Sequence, residues 1–469
     1  MLFERFEDDD LAHHSYLIAC EAAGEAVVVD PRRDIDAYLD FAGERHLEIT
    51  HVAETHVHAD YASGAKELAE RSGATLWESA YDEDERYEVA FPHEELGEGD
   101  AIEVGSVRLE ALHTPGHTPE HLSYLVYDGS RSEIVPELLL SGDFLFVGSL
   151  GRPDLLGEDV KRDLARRLFA SVRQKLADLP GGLEVHPAHG SGSMCGSGMG
   201  GRPMSTLGFE RIANPYLDPD LTEEAFVERI LGTAPPFPPY YRRMKQINAA
   251  GPPALNGLPG LEPIPVERFR ALADADHLVL DLRDHLAYGG AHVPDSFGIG
   301  VIGGSLSSWA AWVLPYDTPI LLLAPRPEDV ESAVRRLVRV GFDDVRGWLE
   351  GGIEAWREAG CRLASIPQMD VGALHEELEE GDGPVVLDVR TDEEWEAGHI
   401  EGAIHVHGGF VAERLDEIPR DGRPIAVICG SGYRSTVAAS VLERAGFEDV
   451  RNVPGGMEAW ERLGLPESR

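Results

Sequence analysis

Thr55-His56-Val57-His58-Ala59-Asp60-Tyr61 follows an apolar approach through Ile49 and Val52, and its reading decides the fold of the first half of the chain. Two histidines at i and i+2 with an aspartate at i+4 do not share one face of a helix, but they converge from a loop at the end of a strand. That is the geometry of a metal site. A lone His-x-His would be an ordinary polar loop. This one has partners downstream, at His113-Thr114-Pro115-Gly116-His117-Thr118, Ser141-Gly142-Asp143 and His186-Pro187-Ala188-His189-Gly190. Each sets a His or Asp at a strand end or in a Gly/Pro turn.

Around these motifs, short β-rich runs (Val27-Val28-Val29-Asp30, His51-Val52-Ala53, Leu138-Leu139-Leu140) alternate with helical patterns over 65–71 and 160–179. A layered α/β domain over residues 1–245 is expected, with its site where the strands end. From Pro235 to Tyr241 and again from Gly251 to Pro265 the chain turns proline-rich. Residues 246–262 read as a semi-rigid linker, with the alternative that the proline-rich piece folds back as a lid on the first domain.

The remainder repeats itself. Leu280-Asp281-Leu282-Arg283 matches Leu387-Asp388-Val389-Arg390 at an offset of 107 residues, and Gly351-Gly352 to Trp356 matches Gly455-Gly456 to Trp460 at 104. Two copies of a small parallel α/β domain are expected, 263–364 and 365–469. In the second copy an apolar strand, 425–428, runs into Cys429-Gly430-Ser431-Gly432-Tyr433-Arg434-Ser435 and then a helix beginning near Thr436. A cysteine in a glycine-rich loop at a helix N-terminus, with an arginine beside it, is placed to act as a nucleophile or persulfide carrier and to cradle an anion. The first copy has Ala324-Pro325-Arg326-Pro327 at this place, so it carries no thiol there and is expected to be catalytically silent, a spacer or docking surface.

Composition narrows the classes. With 84 acidic against 41 basic residues, the net charge of −43 disfavours nucleic acid and anionic membranes as partners. No apolar run approaches a membrane span of about 20 residues, and the acidic N-terminus is unlike a secretory signal. A cytoplasmic protein is expected. The four cysteines, Cys20, Cys195, Cys361 and Cys429, lack CxxC spacing, which points to free thiols rather than disulfides or a thiolate zinc knuckle.

The ordered series from His56 to His189 resembles the metallo-β-lactamase superfamily over nearly all of residues 1–230, which implies an αββα sandwich holding metal. The Cys429 loop, with Leu387 to Arg390, Glu394-Trp395 to Ile400 and the Gly455-Gly456 ending, resembles rhodanese, the sulfurtransferase; the six-residue loop from Cys429 to Arg434 is one residue shorter than in its phosphatase relatives. The expected fold is therefore a metallo-β-lactamase-like domain followed by two rhodanese-like α/β domains.

Within the superfamily, resemblance to the persulfide dioxygenase group implies one Fe(II) per chain held by His56, His117 and Asp143, with His58, Asp60 and His189 orienting ligands and water around it. Tyr61 stands where dinuclear hydrolases supply a histidine for a second metal. Gly151-Arg152-Pro153-Asp154 resembles that group's Gly-Arg-x-Asp turn. The function so implied is oxidation of a low-molecular-weight persulfide by dioxygen to sulfite and thiol, coupled to sulfane-sulfur transfer through Cys429 between sulfite and thiosulfate. Arg434, Gly430, Ser431, Gly432 and Tyr433 would hold the anion; Arg152 and Arg202 would grip carboxylates of the carrier; Cys195, in a loop resembling that of fused dioxygenase-rhodanese proteins, would relay a persulfide. A homo-oligomer is compatible with all of this. The alternative is a zinc hydrolase of the glyoxalase II type fused to a sulfurtransferase.

Overall fold

The computed structural model describes residues 1–469 apart from Asp84, Gly304 and Asp382. The chain divides into two compact units, the first formed essentially by Met1–Asn256 and the second beginning at Gly257.

The first unit holds two six-stranded sheets. One runs in the order Leu2–Asp8, His13–Cys20, Glu25–Val29, Glu48–Ala53, Thr75–Ser79, Glu94–Leu96. Its first three strands are antiparallel neighbours, and the pairings from Glu25–Val29 onward are parallel. The other runs Ser205–Thr206, Glu184–Pro187, Leu138–Gly142, Leu122–Asp128, Val107–His113, Ala101–Val104. Because successive side chains point to opposite faces of a strand, His13–Cys20 divides its apolar residues between two cores. Tyr16 and Ile18 meet Leu109, Tyr124 and Val126 between the sheets. Leu17 and Ala19 face outward to a cluster with Tyr38, Ala42, Ala65 and Leu68, from helices Asp36–Glu44 and Ala65–Ser72. On the far side, Leu125, Leu139 and Val185 pack on Leu168, Val172, Phe226 and Ile230 from helices Lys161–Lys175 and Glu223–Gly232. The layers are thus αββα, with the metal-type motifs at the strand ends.

Helix Tyr240–Ala250 passes through residue 245, where the sequence pattern set a boundary, and the compact unit continues to Asn256. Proline at 239 starts this helix without costing it a hydrogen bond, because the first amide of a helix has no internal partner.

The second unit contains both repeats. Strands Pro263–Ile264, Val345–Leu349, Ile320–Leu323, Leu278–Asp281 and Phe297–Gly298 form one parallel sheet in that order. Ile404–His405, Val385–Asp388, Ile425–Ile428 and Val450–Asn452 form the other, also parallel. Their central strands are buried throughout, as expected of parallel strands covered by helices on both faces.

Candidate metal centre and sulfur cradle

Asp30, His56, His117, Asp143 and His189 each lie just beyond a strand and are at most 2 % exposed. Asp30 at the end of Glu25–Val29 organises the loop that follows Glu48–Ala53. Its carboxylate accepts Thr55 N (2.7 Å), the Thr55 hydroxyl (3.0 Å) and His58 Nε2 (3.2 Å). With its proton given to Asp30, the Thr55 oxygen accepts from His56 Nδ1 at 2.9 Å. That fixes the His56 tautomer and leaves Nε2 with a free lone pair.

The same logic holds for the other two groups. His117 Nδ1 donates to the Arg152 carbonyl at 2.9 Å, and Asp143 Oδ1 accepts from His189 Nδ1 at 2.7 Å. His56 Nε2, His117 Nε2 and Asp143 Oδ2 remain buried without a hydrogen-bond partner. They face one another, with Oδ2 at 3.9 Å from His56 Nε2 and 3.3 Å from His117 Nε2. All three ligand atoms lie within 4.8 Å of each other. Burial first, then the neighbouring His58 for His56 and His121 for His117, holds both imidazoles well below their ordinary pKa, so they are neutral donors. Three orphaned donors pointing at one small volume fit a metal ion; as a hydrogen-bonded cluster they would be a costly defect.

His58 lies against His56, ring centroids 4.1 Å apart, and bonds to Asp30. Asp60 Oδ2 approaches His189 Nε2 at 2.6 Å. Burial pushes the His189 pKa down, but the Asp143 and Asp60 carboxylates outweigh it and raise it well above the ordinary value. Tyr61 is buried, its hydroxyl donating to the Asp30 carbonyl at 3.2 Å. His121, overlooked in the sequence, receives Asp143 N–H on Nε2 (2.9 Å) while Nδ1 bonds to Thr114 Oγ1 (2.8 Å), fixing the Asp143 backbone. Its spacing of four from His117 was the available signal.

Gly151 is required at this point. A Cβ there would run into the Asp143 carbonyl oxygen and lie 2.9 Å from His117 Nδ1. Gly151→Ala should therefore displace the Arg152 carbonyl that orients His117. We expect metal affinity to fall about 10- to 100-fold, the usual cost of disturbing a ligand's own support, read by chelator competition.

The two arginines expected to contact substrate and the thiol expected to relay sulfur lie as follows. Arg152 is 2 % exposed, with Nε and Nη2 on Asp154 at 2.7 and 2.8 Å and Nη1 on the carbonyls of Met194 (3.1 Å) and Pro236 (3.3 Å). It knits loops together and offers no free guanidinium to a carrier. Arg202 is exposed and lines a cavity of about 260 Å³ together with Glu7, Asp8 and Asp9, whose carboxylates compete with any anion there. Cys195 is 1 % exposed, its Sγ 3.7 Å from the Tyr241 hydroxyl. Burial, then the Asp60 and Asp143 charges, push its thiol well above the ordinary pKa. An enclosed, protonated thiol is a poor acceptor of sulfur from solution.

In the second unit, Cys429 follows strand Ile425–Ile428, and helix Tyr433–Arg444 begins three residues earlier than the pattern suggested, with Gly432 as its N-cap. Gly432 therefore aims its amide at Cys429 Sγ, 3.1 Å away, and Ser435 Oγ lies at 3.4 Å in the first turn. Met457 N and Glu458 N bond the carbonyls of Cys429 (2.8 Å) and Gly430 (3.0 Å), and Gly455 N bonds that of Ser431 (2.9 Å). Those contacts turn the carbonyls outward from the cradle. Gly456, at φ +51°, admits no side chain because a Cβ would collide with the Cys429 and Gly430 carbonyls.

Arg434 is held by Glu394 in a bidentate pair at 2.6 and 2.7 Å. Burial pushes the Glu394 carboxyl up, but Arg434 overcomes it and holds it down at about 2. The Tyr433 hydroxyl donates to Gly300 O of the first copy at 3.2 Å. The first copy also sets His285 Nε2 within 3.5 Å of where a Gly432 Cβ would stand, and lays Trp309 and Trp312 against His407, with ring centroids 6.2 and 5.2 Å apart. It walls the cradle. Ala324 itself is 8 % exposed and brings no chemistry.

Residues 8–189 match the family model of the metallo-β-lactamase superfamily, and 370–463 that of the rhodanese-like domain. The persulfide dioxygenase ETHE1 of Homo sapiens is 30% identical over 221 residues, 46% of this chain and 75% of that protein. A hydroxyacylglutathione hydrolase of Polaromonas is 34% identical over 176 residues, 37% of this chain and 61% of that protein. A metallo-beta-lactamase structure from Staphylococcus aureus is 35% identical, covers 74% of this chain and 98% of that one, and superposes with a TM-score of 0.67.

Proposed function

The chain belongs to the metallo-β-lactamase superfamily and carries a C-terminal rhodanese-like domain, and from that premise we propose that it oxidises a low-molecular-weight persulfide and moves sulfane sulfur through Cys429. The observation that carries the reading is the set His56 Nε2, His117 Nε2 and Asp143 Oδ2, buried, unpartnered and mutually facing. Two imidazoles and one carboxylate on one side of a small volume are the donor set of non-haem Fe(II) oxygenases. Bound there, Fe(II) would supply open coordination positions for a persulfide sulfur and dioxygen.

The net oxidation is persulfide plus dioxygen plus water giving thiol, sulfite and two protons; the terminal sulfur loses the four electrons that dioxygen gains. The residues prepare the site for this. Thr55 and the Arg152 carbonyl hold the Nδ1 protons of His56 and His117, so that each Nε2 keeps its lone pair toward the centre. His189 keeps its Nδ1 proton on Asp143 Oδ1, which turns Oδ2 inward. Burial of all four side chains excludes bulk water.

At the cradle, Cys429 sulfur attacks the outer sulfur of a second persulfide and the carrier leaves as thiolate. Sulfite then attacks the outer sulfur of the Cys429 persulfide, the S–S bond breaks, and thiosulfate leaves with the cysteine restored. Amides of the 430–434 loop and the Arg434 charge would face the anion. A single chain holding both activities raises the effective concentration of the shared sulfur species. Among the described residues no helix is long and apolar enough to cross a membrane.

The likeness to a hydroxyacylglutathione hydrolase favours a second reading, thioester hydrolysis on zinc. Metal analysis of the purified protein, with hydrolysis of S-lactoylglutathione assayed on the same sample, separates the two. Iron near one per chain with no thioester hydrolysis is expected; zinc with hydrolysis would overturn the dioxygenase.

A further inference from the structure

The helix Tyr240–Ala250 carries its buried residues at 240, 241, 244, 245, 248 and 249, one face of a 3.6-residue repeat. Two of them are out of character for a packed face. Lys245 is 2 % exposed and Asn248 4 %. Lysine is almost never fully buried without a partner, so its place needs a reason.

The reason lies in the loop that presents His56. Lys245 Nζ donates to the Val57 carbonyl at 2.7 Å, while the Val57 amide donates to Glu120 Oε1 at 3.1 Å, so the peptide groups on both sides of Val57, the residue after His56, are held. Asn248 Nδ2 donates to the carbonyls of His58 (2.9 Å) and Tyr61 (2.7 Å), and its Oδ1 accepts from Ser63 N (2.8 Å). Both amide protons and the carbonyl of Asn248 are thereby spent on residues 58–63. These two side chains supply what the loop lacks in regular structure, since the carbonyls of Val57, His58 and Tyr61 and the Ser63 amide find their partners on this helix. Burial lowers the Lys245 pKa from its ordinary value, and the Glu120, Cys195, Asp143 and Asp60 charges act in the opposite sense.

We infer that helix Tyr240–Ala250 is a working part of the metal centre, with Lys245 and Asn248 as positioning residues that hold the 56–63 loop in its ligand-presenting shape. The inference rests on His56, His117 and Asp143 being the metal donors. It makes a segment that reads as connector in the sequence indispensable to the first half of the chain.

The test uses the full chain, freed of metal and titrated with Co(II) alone, whose visible absorption reports ligand geometry independently of turnover. Lys245→Met and Asn248→Ala should each weaken Co(II) about 10- to 100-fold and alter the absorption envelope, while Lys245→Arg, which keeps the charge and a donor, should stay within about threefold of wild type. The melting temperature of the metal-free protein should move little. Should Lys245→Met fail to fold, Asn248→Ala carries the same comparison. Wild-type affinity and spectrum in Lys245→Met and Asn248→Ala would overturn the inference while leaving the proposed function standing. So would lost affinity that Lys245→Arg does not restore and that tracks a fall in metal-free melting, since packing alone would then explain it. Failure of the wild-type protein to take up Co(II) would bring down the inference and the proposed function together.

Discussion

Cys429→Ser should abolish sulfur transfer and leave persulfide-dependent oxygen uptake intact. The cysteine is where the new S–S bond forms, and a serine hydroxyl at the same place cannot carry sulfane sulfur. Removing a covalent nucleophile costs about 10³-fold or more. The cradle should survive the change, because its shape is set by backbone: Gly432 N–H aimed at the sulfur, Met457 and Glu458 amides on the loop carbonyls, and the Arg434–Glu394 pair. Thiosulfate formation from sulfite and persulfide should therefore drop to background, while oxygen consumption stays within about twofold of wild type. Transfer persisting in Cys429→Ser would move the carrier to another thiol, and an equal loss of both activities would show that the halves do not act separately.

The second large effect is at His117. Replacing it by alanine removes one of three donors and opens a buried gap where the Arg152 carbonyl loses its partner. Oxygen uptake should fall by about 10³-fold or more, with metal content falling in parallel, while Cys429-dependent transfer continues. Metal should also contribute to folding stability, since a ligand at 100 times its dissociation constant adds about 2.7 kcal/mol. Wild-type protein should lose several degrees of melting temperature on chelation, and His117→Ala should already melt at the chelated value. A variant that keeps its metal and its oxygen uptake would remove His117 from the centre.

What the residues disclose on their own follows the range of each interaction. The motifs that hold His56, His117 and Asp143 are local and sit at strand ends, so spacing disclosed them, while the choice of these three as the ligand set came from the resemblance to the persulfide dioxygenase group. The repeat was legible because both copies keep the Leu-Asp-x-Arg strand end and the Gly-Gly closing motif; the missing thiol at Ala324 was legible for the same reason. Lys245 and Asn248 were not, because their partners are about 190 residues away in the chain and a proline-rich neighbourhood signals loop rather than a packed helix. Arg152 shows its charge in the sequence but not its commitment to Asp154. Cys195 reads as a thiol in a flexible glycine loop, while the fold encloses it against Tyr241. The start of the helix at Tyr433 was misplaced by three residues, since Gly432 and the cradle geometry, rather than propensity, decide where it begins.

The central claim, that the His56–His117–Asp143 centre oxidises a persulfide, is tested most directly by oxygen consumption on glutathione persulfide with sulfite measured in the same vessel, using iron-loaded Cys429→Ser so that no sulfite is diverted to thiosulfate. One sulfite formed per dioxygen consumed, abolished in the double variant with His117→Ala, is the predicted result. No oxygen uptake above the buffer rate with the metal demonstrably bound would contradict it.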